Sequence, residues 1–355
     1  MNLFDQTFGG EIECFLPDAG SQHAAAQAVT QRLQSGGFGQ SCYVSGYTHG
    51  TPPTWKCLTD GSLGSIDRGW EFVSPILRGE NGLAQIETVC KTLSDFGCTL
   101  SKKCGYHVHV GAKKDGLRPD LGFYKNAAKL YAVFETAIDS MMPPSRRASA
   151  CNYARSMTSA SPSALDRASN FDALCAAATS HASKPEQRFY KVNLRAWDRH
   201  RTVEWRHHSG TLDPLKARMW TLACLRMTLK AREPSLGLAT SEVAINQARP
   251  GSKAHKIGEM LLRPEGVTGR EIMTAMNWPS VSIPQQAKIC GIEYTTQRTG
   301  REVRYFARTA GQIASPPPVP TTLEGFAGFI GAADDEKAYF LRRAQELSGP
   351  VQWAA

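Results

Sequence analysis

Apolar residues alternate with polar ones in several short segments of this chain, and they recur every three or four positions in several longer segments. Alternation is typical of a strand with one buried face, whereas the longer spacing is typical of an amphipathic helix. The first pattern predicts strands at 8–16, 55–58, 70–75, 104–110, 188–194 and 202–207. The second pattern predicts helices at 21–35, 81–96, 121–142 and 214–230. Strands and helices mix without strict alternation, which favours an α+β fold with a largely antiparallel sheet.

The pattern changes after the helix at 214–230. A segment rich in Pro, Gly, Ser and Ala is typical of a linker, and a later Pro-rich run predicts a stiff spacer. Between them, three predicted helices precede a basic β-hairpin with its turn at Thr299-Gly300, which is the order of a winged helix-turn-helix. We therefore divide the chain into a large N-terminal domain, a linker, a winged-helix domain, a spacer and a C-terminal helix: 1–232, 233–252, 253–308, 309–321 and 322–355.

Three predicted strands carry one pattern, in which two groups able to bind a metal or an anion flank an apolar residue. They are Glu11-Ile12-Glu13, His107-Val108-His109 and Glu204-Trp205-Arg206. Alternate side chains of a strand point to opposite faces, so each flanking pair shares a face and lies about 6.6 Å apart. If the three strands belong to one sheet, that face carries three carboxylates, two imidazoles and a guanidinium. Such a face favours bound cations.

The residue types narrow the chemistry of this face. Magnesium prefers oxygen ligands and commonly binds through carboxylates and substrate phosphates. Glu71 adds a carboxylate among apolar neighbours, where an unpaired charge is costly. His107 and His109 also suit zinc or iron, so a zinc or iron enzyme is an alternative, although the Glu that follows HxH in a cupin-type site is missing here. Arg206 is suited to bidentate binding of phosphate or carboxylate.

Composition limits the class of protein. The chain has 355 residues, of which 41% are hydrophobic and 21% are charged, as in ordinary globular proteins. The net charge of +9 permits a polyanionic partner without requiring one. Ten cysteines form no CxxC pair, so we expect reduced thiols in a cytoplasmic protein. No stretch approaches about 18 apolar residues and no signal peptide is visible, so we expect no membrane span.

Six short segments, taken in their order along the chain, form a specific combination. They are FGGEIE (8–13), DGSL (60–63), EFVSPIL (71–77), CGYHVHV (104–110), YKVNL (190–194) and TVEWR (202–206). Over about residues 5–230, this combination resembles the amidoligase family, which belongs to the carboxylate–amine ligase superfamily with glutamate–cysteine ligase and glutamine synthetase. Gly10 and Trp205 depart from the β-branched residue and the Phe that are more usual there.

The resemblance implies a curved antiparallel β-sheet that forms a funnel, and an ATP-dependent reaction. A carboxylate of a small molecule or peptide would be phosphorylated, and an amine would then attack to give an amide. Mg²⁺ or Mn²⁺ bridging the ATP phosphates would be held by Glu11, Glu13, Glu71, His107 and Glu204. Arg206 and Glu204 would be catalytic. The residues expected to bind the cofactor are Arg146, Arg147, Asn193 and His109.

The segment 253–308 resembles a small winged-helix domain of unknown function. It holds nine Lys or Arg against five Asp or Glu. Arg298, Arg301 and Arg304 in the predicted hairpin favour contact with nucleic-acid phosphates. The predicted third helix, 281–289, has one Lys and no Arg, which disfavours base readout, so a protein-binding domain is an alternative. For the whole chain, a nucleic-acid-binding protein with an inactive ligase-like domain is a further alternative, which the retained metal ligands disfavour.

Overall fold

A computed structural model describes most of the chain and divides it into two compact units. The described residues are 2–46, 50, 53–64, 68–112, 118–157, 160, 162–234, 236, 252–261, 263, 266–290, 294–299, 302–307 and 321–348. The first unit comprises Met1–Leu236 together with Pro320–Ala355, and the second comprises Gly237–Val319. The greater part of the predicted linker and spacer, at 237–251 and 308–320, lies outside the described residues.

Strands and helices alternate irregularly along the chain. The strands are β1 (Thr7–Phe15), β2 (Cys42–Val44), β3 (Trp55–Thr59), β4 (Gly69–Val73), β5 (Leu77–Arg78), β6 (Tyr106–Gly111), β7 (Val192–Asn193), β8 (Thr202–Trp205), β9 (Val267–Thr268), β10 (Tyr294–Thr299) and β11 (Glu302–Ala307). The helices are α1 (Gln22–Ser35), α2 (Gly79–Asp95), α3 (Leu121–Ser140), α4 (Pro162–Arg167), α5 (Phe171–Ala178), α6 (Ala196–His200), α7 (Pro214–Ala231), α8 (Lys253–Leu261), α9 (Gly269–Met276), α10 (Ile283–Cys290), α11 (Leu323–Phe329) and α12 (Asp334–Ser348). None of these helices is long and apolar enough to cross a membrane.

The first unit is a mixed α/β structure on one open sheet. Its strands lie in the order β2-β3-β4-β1-β6-β8-β7, and β5 pairs with the start of β1. Within the described ranges β2 and β3 pair in parallel, while the other pairs of this sheet are antiparallel. The sheet is therefore largely antiparallel, as predicted, but it is mixed rather than purely antiparallel. The difference arises from β2, a three-residue edge strand in a segment where no alternation is visible. The funnel shape stays a prediction.

Helices cover one face of the sheet, and the apolar residues of the three motifs lie on that face. Ile12, Val108 and Trp205 are fully buried. The Trp205 indole N–H donates to Thr228 Oγ1 on α7 at 3.1 Å. A Cβ on Gly10 would lie 2.7 Å from the Ile86 side chain of α2, so close helix packing explains why glycine occupies this position. The charged residues of the motifs are left on the opposite face.

The segment between α3 and β8 differs most from its prediction. The predicted strand at 188–194 is a 3₁₀ turn, Gln187–Phe189, followed by only two strand residues in β7. Strand β8 ends at Trp205, two residues earlier than predicted. The polar, Ala- and Ser-rich segment 145–188 predicts short helices and loops without bounds, and α4 and α5 are such helices, whereas α6 is not predicted. They are too short to show a helical period clearly.

Helices α11 and α12 pack on the rest of the first unit. The single predicted C-terminal helix is in fact two helices, α11 and α12, because Gly331 adopts a left-handed conformation with φ +66° just after α11. Phe326 is fully buried, and its ring centroid lies 5.5 Å from that of Phe134 on α3. Arg226 Nη2 donates to Glu336 Oε1 on α12 at 2.9 Å. The two helices therefore contribute to the core of the first unit.

The second unit has its own small core. Helices α8, α9 and α10 pack with a three-stranded sheet in the order β10-β11-β9. Thr268 and Glu271 form a capping box at the start of α9. The predicted three helices and hairpin are present, although Gly300 of the predicted turn and Arg301 lie outside the described residues. Whether the unit is a winged helix stays a prediction.

Candidate active site

The three charged motifs lie in register on adjacent strands of the sheet. Residues paired across antiparallel strands point to the same face. The pairs are Glu13 with Glu71, Glu11 with His107, His109 with Glu204, and Asn193 with Glu204. Strands β4, β1, β6, β8 and β7 thus place all of these side chains on the face that the motif core residues leave free. The predicted ligands Glu11, Glu13, Glu71, His107 and Glu204 come together in the structure.

Their donor atoms form three groups, each with all its atoms within 4.8 Å of one another. The groups are Glu13, Asp60 and Glu71; Glu11, Glu71 and His107; and Glu11, His109 and Glu204. Glu71 and Glu11 each belong to two groups, so the three positions are linked in a chain. The first group offers only oxygen donors, as Mg²⁺ and Mn²⁺ prefer, whereas the imidazole in each of the other two groups also suits zinc or iron. The residues present therefore fit a set of neighbouring divalent cations.

Asp60 is a further candidate ligand, which its place in the DGSL motif alone did not indicate. It follows β3 directly and caps a 3₁₀ turn, Gly61–Leu63, by accepting the Ser62 N–H at 2.8 Å. The Ser62 hydroxyl donates to its second carboxylate oxygen at 2.8 Å. These bonds fix the Asp60 carboxylate beside Glu13 and Glu71. The feature of the sequence that could have indicated Asp60 is an Asp-Gly-Ser turn directly after an apolar strand.

Gly105 makes room for the central histidine of the site. Its backbone N–H donates to Glu13 Oε2 at 2.6 Å. A Cβ at Gly105 would lie 2.4 Å from His107 Nε2, so the imidazole occupies the space that a side chain would fill. His107 Nδ1 lies 3.2 Å from Glu11 Oε2, and its Nε2 lies 3.6 Å from Glu13 Oε1. His107, which is 4% exposed, thereby joins the two carboxylates of the first motif.

The carboxylates of the site differ in the direction of their pKa shifts. Burial and repulsion from Glu11 and Glu13 raise the pKa of Glu71 well above its ordinary value. Burial likewise raises the pKa of Glu13. Burial also opposes ionisation of Glu11, but attraction to His109 and hydrogen bonds with both imidazoles hold the pKa of Glu11 well below its ordinary value. Burial thus disfavours the charged forms of Glu71 and Glu13, and a bound divalent cation would favour them.

Glu204 is held from both sides. Arg206 Nη1 donates to Glu204 Oε1, and Asn193 Nδ2 donates to Glu204 Oε2 at 2.6 Å. Arg206 Nε also donates to the carbonyl of Tyr153 at 3.2 Å. Burial opposes the charge on Arg206, but the negative charge of Glu204 raises the Arg206 pKa above its ordinary value. Arg206 is therefore a permanent cation at the β8 end of the cluster.

His109 and Asn193, which were expected to bind the cofactor, both lie beside the carboxylates of the site. His109 Nε2 lies 3.2 Å from Glu11 Oε1. Its Nδ1 lies 2.9 Å from Thr202 Oγ1, which orients the ring. Asn193 is used to hold Glu204. Both residues therefore act on the carboxylates directly.

Arg146 and Arg147 are placed differently from the other predicted residues. Arg146 is 2% exposed, and its guanidinium donates to the carbonyls of Lys103 and Cys104. Arg147 donates to the carbonyl of Met142 at 2.8 Å and to that of Leu347 at 3.3 Å. Both guanidinium groups bind main-chain carbonyls, and these contacts give their predicted cofactor role no support. Arg146 instead braces the backbone next to Gly105.

Lys56 is a second residue of this face that the sequence pattern did not indicate. Lys56 pairs with Val73, which pairs with Glu11, so its side chain shares their face. It is 3% exposed, and its ammonium donates to the carbonyl of Gly50 at 2.9 Å. Burial lowers the pKa of Lys56, whereas the negative charges of Glu71 and Glu11 oppose that shift. A lone Lys between Trp55 and Cys57 was the available signal.

One comparison with known proteins bears on this site. A family model with the description "Putative amidoligase enzyme" matches residues 5–228. The match runs from the start of β1 nearly to the end of α7, so it includes every residue of the carboxylate and imidazole cluster. No curated protein matches the chain.

Proposed function

The chain belongs to the amidoligase family, and we propose that it is an ATP- and Mg²⁺-dependent carboxylate–amine ligase. One observation carries this proposal. Three groups of metal-binding donor atoms are linked through Glu11 and Glu71, and the row ends at the fixed cation Arg206. A linked row of cation positions suits a substrate with several neighbouring anionic groups, as in a triphosphate.

The proposed reaction has two steps. A carboxylate oxygen of the acid attacks the terminal phosphorus of ATP, and the bond to the ADP oxygen breaks. The amine nitrogen then attacks the carbonyl carbon of the acyl phosphate, phosphate leaves, and the amine loses a proton. Both steps develop negative charge on oxygen, so their rates depend mainly on positioning and on electrostatic stabilisation.

The residues of the site divide these tasks. Bound Mg²⁺ or Mn²⁺ would supply charge neutralisation and orientation of the phosphates. Arg206 carries a planar guanidinium suited to the transferred phosphoryl group. Its bond to Glu204 fixes the guanidinium beside the donor groups, and Asn193 fixes Glu204 in turn. Preformed contacts of this kind reduce the reorganisation needed when charge develops.

The geometry does not favour a zinc or iron enzyme built on both histidines. His107 belongs to the group with Glu11 and Glu71, whereas His109 belongs to the group with Glu11 and Glu204. Within the described residues no three-donor group contains both imidazoles. A two-histidine site would require both rings to bind one ion.

The second unit gives little support for nucleic-acid binding. Arg304, one of the three arginines of the predicted hairpin, donates to Glu271 Oε1 at 2.9 Å. Arg301 lies outside the described residues. Binding to nucleic acid through 253–308 therefore stays a prediction, and a protein partner is its alternative.

The function is tested first by calorimetric titration of ATP with and without Mg²⁺. We expect the wild type to bind ATP only with Mg²⁺, and Glu13→Gln to lose this binding because Glu13 is one of the three donors of the first group. Glu324→Gln, which changes an exposed carboxylate on α11, is the matched control. Binding that ignores Mg²⁺ or the Glu13 change would contradict the metal assignment. A panel of acids and amines assayed for ADP release then identifies the substrates.

A further inference from the structure

Within the described residues, the side-chain amide of Asn193 has a hydrogen-bond partner for its nitrogen and none for its oxygen. Asn193 Nδ2 donates to Glu204 Oε2 at 2.6 Å. Asn193 Oδ1 is buried and accepts no hydrogen bond from any part of the chain that the structure describes. Buried acceptors almost always have a partner, because an unsatisfied one loses its bonds to water without replacement. The unpartnered oxygen therefore points to a ligand.

The neighbouring carboxylate fixes the orientation of this amide. An ionised carboxylate only accepts hydrogen bonds, whereas an amide has one end that donates and one that accepts. Glu204 accepts from Arg206 at Oε1 and from Asn193 at Oε2. Turning the amide over would set two acceptor oxygens against each other. The Asn193 oxygen is therefore the end of the amide that is left for a ligand.

This oxygen lies beside the third donor group, which consists of Glu11, His109 and Glu204. Asn193 pairs with Glu204 across β7 and β8, and His109 pairs with Glu204 across β6 and β8. The three side chains therefore share one face of the sheet. Because Oδ1 and Nδ2 are bonded to the same carbon, Oδ1 lies at most about 5 Å from Glu204 Oε2. Asn193 itself is 6% exposed, so its oxygen belongs to the buried part of the site.

The chemistry of the third donor group favours a cation as the partner of this oxygen. The group supplies three donor atoms, whereas an octahedral ion such as Mg²⁺ takes about six ligands. Carboxylate, carbonyl and water oxygens all suit Mg²⁺ and Mn²⁺. An amide oxygen is uncharged, so it adds a ligand without adding to the repulsion between Glu11 and Glu204. A metal ion needs only the space between the donor atoms, whereas an amine substrate would need a path to the buried oxygen.

Resting on the proposed function, we propose that Asn193 Oδ1 is a fourth protein ligand of the divalent cation at the third donor group. The side chain of Asn193 then has two tasks, since Nδ2 fixes the Glu204 carboxylate and Oδ1 binds the ion. Arg206 holds the other oxygen of Glu204. Asn193 thus connects this metal position to the fixed cation Arg206 through one carboxylate.

The test detects the metal ligand directly in the full-length protein. Asparagine labelled with ¹³C at Cγ is incorporated, and Mn²⁺ is diluted in excess Mg²⁺, with and without ADP, so that most molecules hold at most one paramagnetic ion. Electron–nuclear double resonance then measures the coupling between Mn²⁺ and the labelled carbon. We expect a strong ¹³C coupling in the wild type that is lost in Asn193→Ala. Asn81→Ala changes an exposed asparagine of α2 and is the matched control, which should keep the coupling.

A Mn²⁺ titration of the same proteins separates a ligand from a residue that only holds Glu204. We expect Asn193→Ala to bind Mn²⁺ about 10–100-fold more weakly than the wild type, a loss that either role would produce. Asn193→Asp retains an oxygen donor but cannot donate to Glu204, so it should bind Mn²⁺ more tightly than Asn193→Ala. Asn193→Asp also lacks the labelled carbon, and it replaces Asn193→Ala in the resonance experiment if that variant does not fold.

Two results would overturn the inference while the proposed function stands. One is Mn²⁺ bound to the wild type without the ¹³C coupling, which would limit Asn193 to holding Glu204. The other is Mn²⁺ binding by Asn193→Asp that is as weak as that of Asn193→Ala. Absence of Mn²⁺ binding by the wild type would instead overturn the metal assignment on which the proposed function and this inference both rest.

Discussion

Gly105→Ala isolates the contribution of His107 to the site. The added Cβ would lie 2.4 Å from Nε2 and 3.0 Å from Cδ2 of the His107 ring. Non-bonded heavy atoms are at their optimal separation at about 3.5 Å, so the imidazole has to retreat by about 1 Å. The φ of Gly105 lies outside the left-handed region, so alanine itself fits the backbone. The change therefore acts mainly through the histidine.

The size of the effect follows from the contacts of that ring. Its two nitrogens lie 3.2 Å from Glu11 and 3.6 Å from Glu13, and a 1 Å shift alters both contacts and the donor group that contains Glu71. Disturbing the partners of metal ligands typically costs 10–100-fold in metal affinity. A misplacement of about 1 Å can cost about 100-fold in rate. Crowding in a packed interior costs about 1–3 kcal/mol of stability, so we expect a folded protein with a damaged site.

The assay is Mn²⁺ titration followed by electron paramagnetic resonance, with urea unfolding on the same preparation. We expect Gly105→Ala to bind Mn²⁺ about 10–100-fold more weakly than the wild type. Gly61→Ala makes the same change in another motif glycine, where an added Cβ meets nothing within 4 Å, and it should bind Mn²⁺ normally. A folded Gly105→Ala with wild-type Mn²⁺ affinity would refute the placement of His107 among the metal ligands.

Three further predictions concern the site, the core and pH. Glu204→Gln should abolish ADP release without unfolding the protein. The new amide cannot accept a hydrogen bond from Asn193 and also bind a cation as a carboxylate does. ADP release at the wild-type rate would contradict the role of Glu204 in the site. Phe326→Ala should lower the free energy of unfolding, measured in urea, by about 3–5 kcal/mol. Phe4→Ala, at an exposed position, should lower it far less. Equal losses in the two variants would exclude packing of α11 on the first unit. Burial lowers the pKa of His207 to about 4, so the unfolded chain takes up a proton between about pH 6.5 and 4 that the fold does not. Stability should fall by about 3 kcal/mol across that window, and an unchanged slope in His207→Gln would contradict this assignment.

The sequence predicted that the two charged residues of each motif share one face of their strand, but it did not predict which strands lie next to that strand. Alternation within Glu11-Ile12-Glu13 shows that the two carboxylates share a face. It does not show that β1 lies between β4 and β6, because these strands are far apart in the sequence. The resemblance to the amidoligase family indicated that these motifs form one site, which the alternation of residues alone could not indicate.

Lone residues were the hardest to assign from sequence. Asp60 and Lys56 lie in the site only because β3 pairs with β4 in one register. Arg146 and Arg147 show the opposite case: the resemblance placed both near the cofactor, but packing after α3 turns their guanidinium groups to main-chain carbonyls. A single polar residue carries no periodic signal, so its position depends entirely on long-range pairing.

The boundary at the end of the chain also depends on long-range contacts. The spacing of 322–355 predicts a helix, and nothing local indicates where that helix packs. Burial of Phe326 and the bond between Arg226 and Glu336 assign α11 and α12 to the first unit. A shortened protein for testing the ligase unit alone should therefore lack 237–319 and retain the residues that follow.

The core and the chemistry of this site are specified by the same three-residue motifs. The middle residues Ile12, Val108 and Trp205 are fully buried under the helices, and each one fixes the face of its strand. A register slip of one residue would turn the flanking charges into the core, where an unpaired charge is far more costly than an exposed apolar residue. Apolar packing thus destabilises the alternative strand registers, in which the carboxylates would not lie on one face. The electrostatic repulsion between Glu11, Glu13 and Glu71 is consequently opposed both by the core and by the contacts of Glu11 and Glu13 with the two imidazoles.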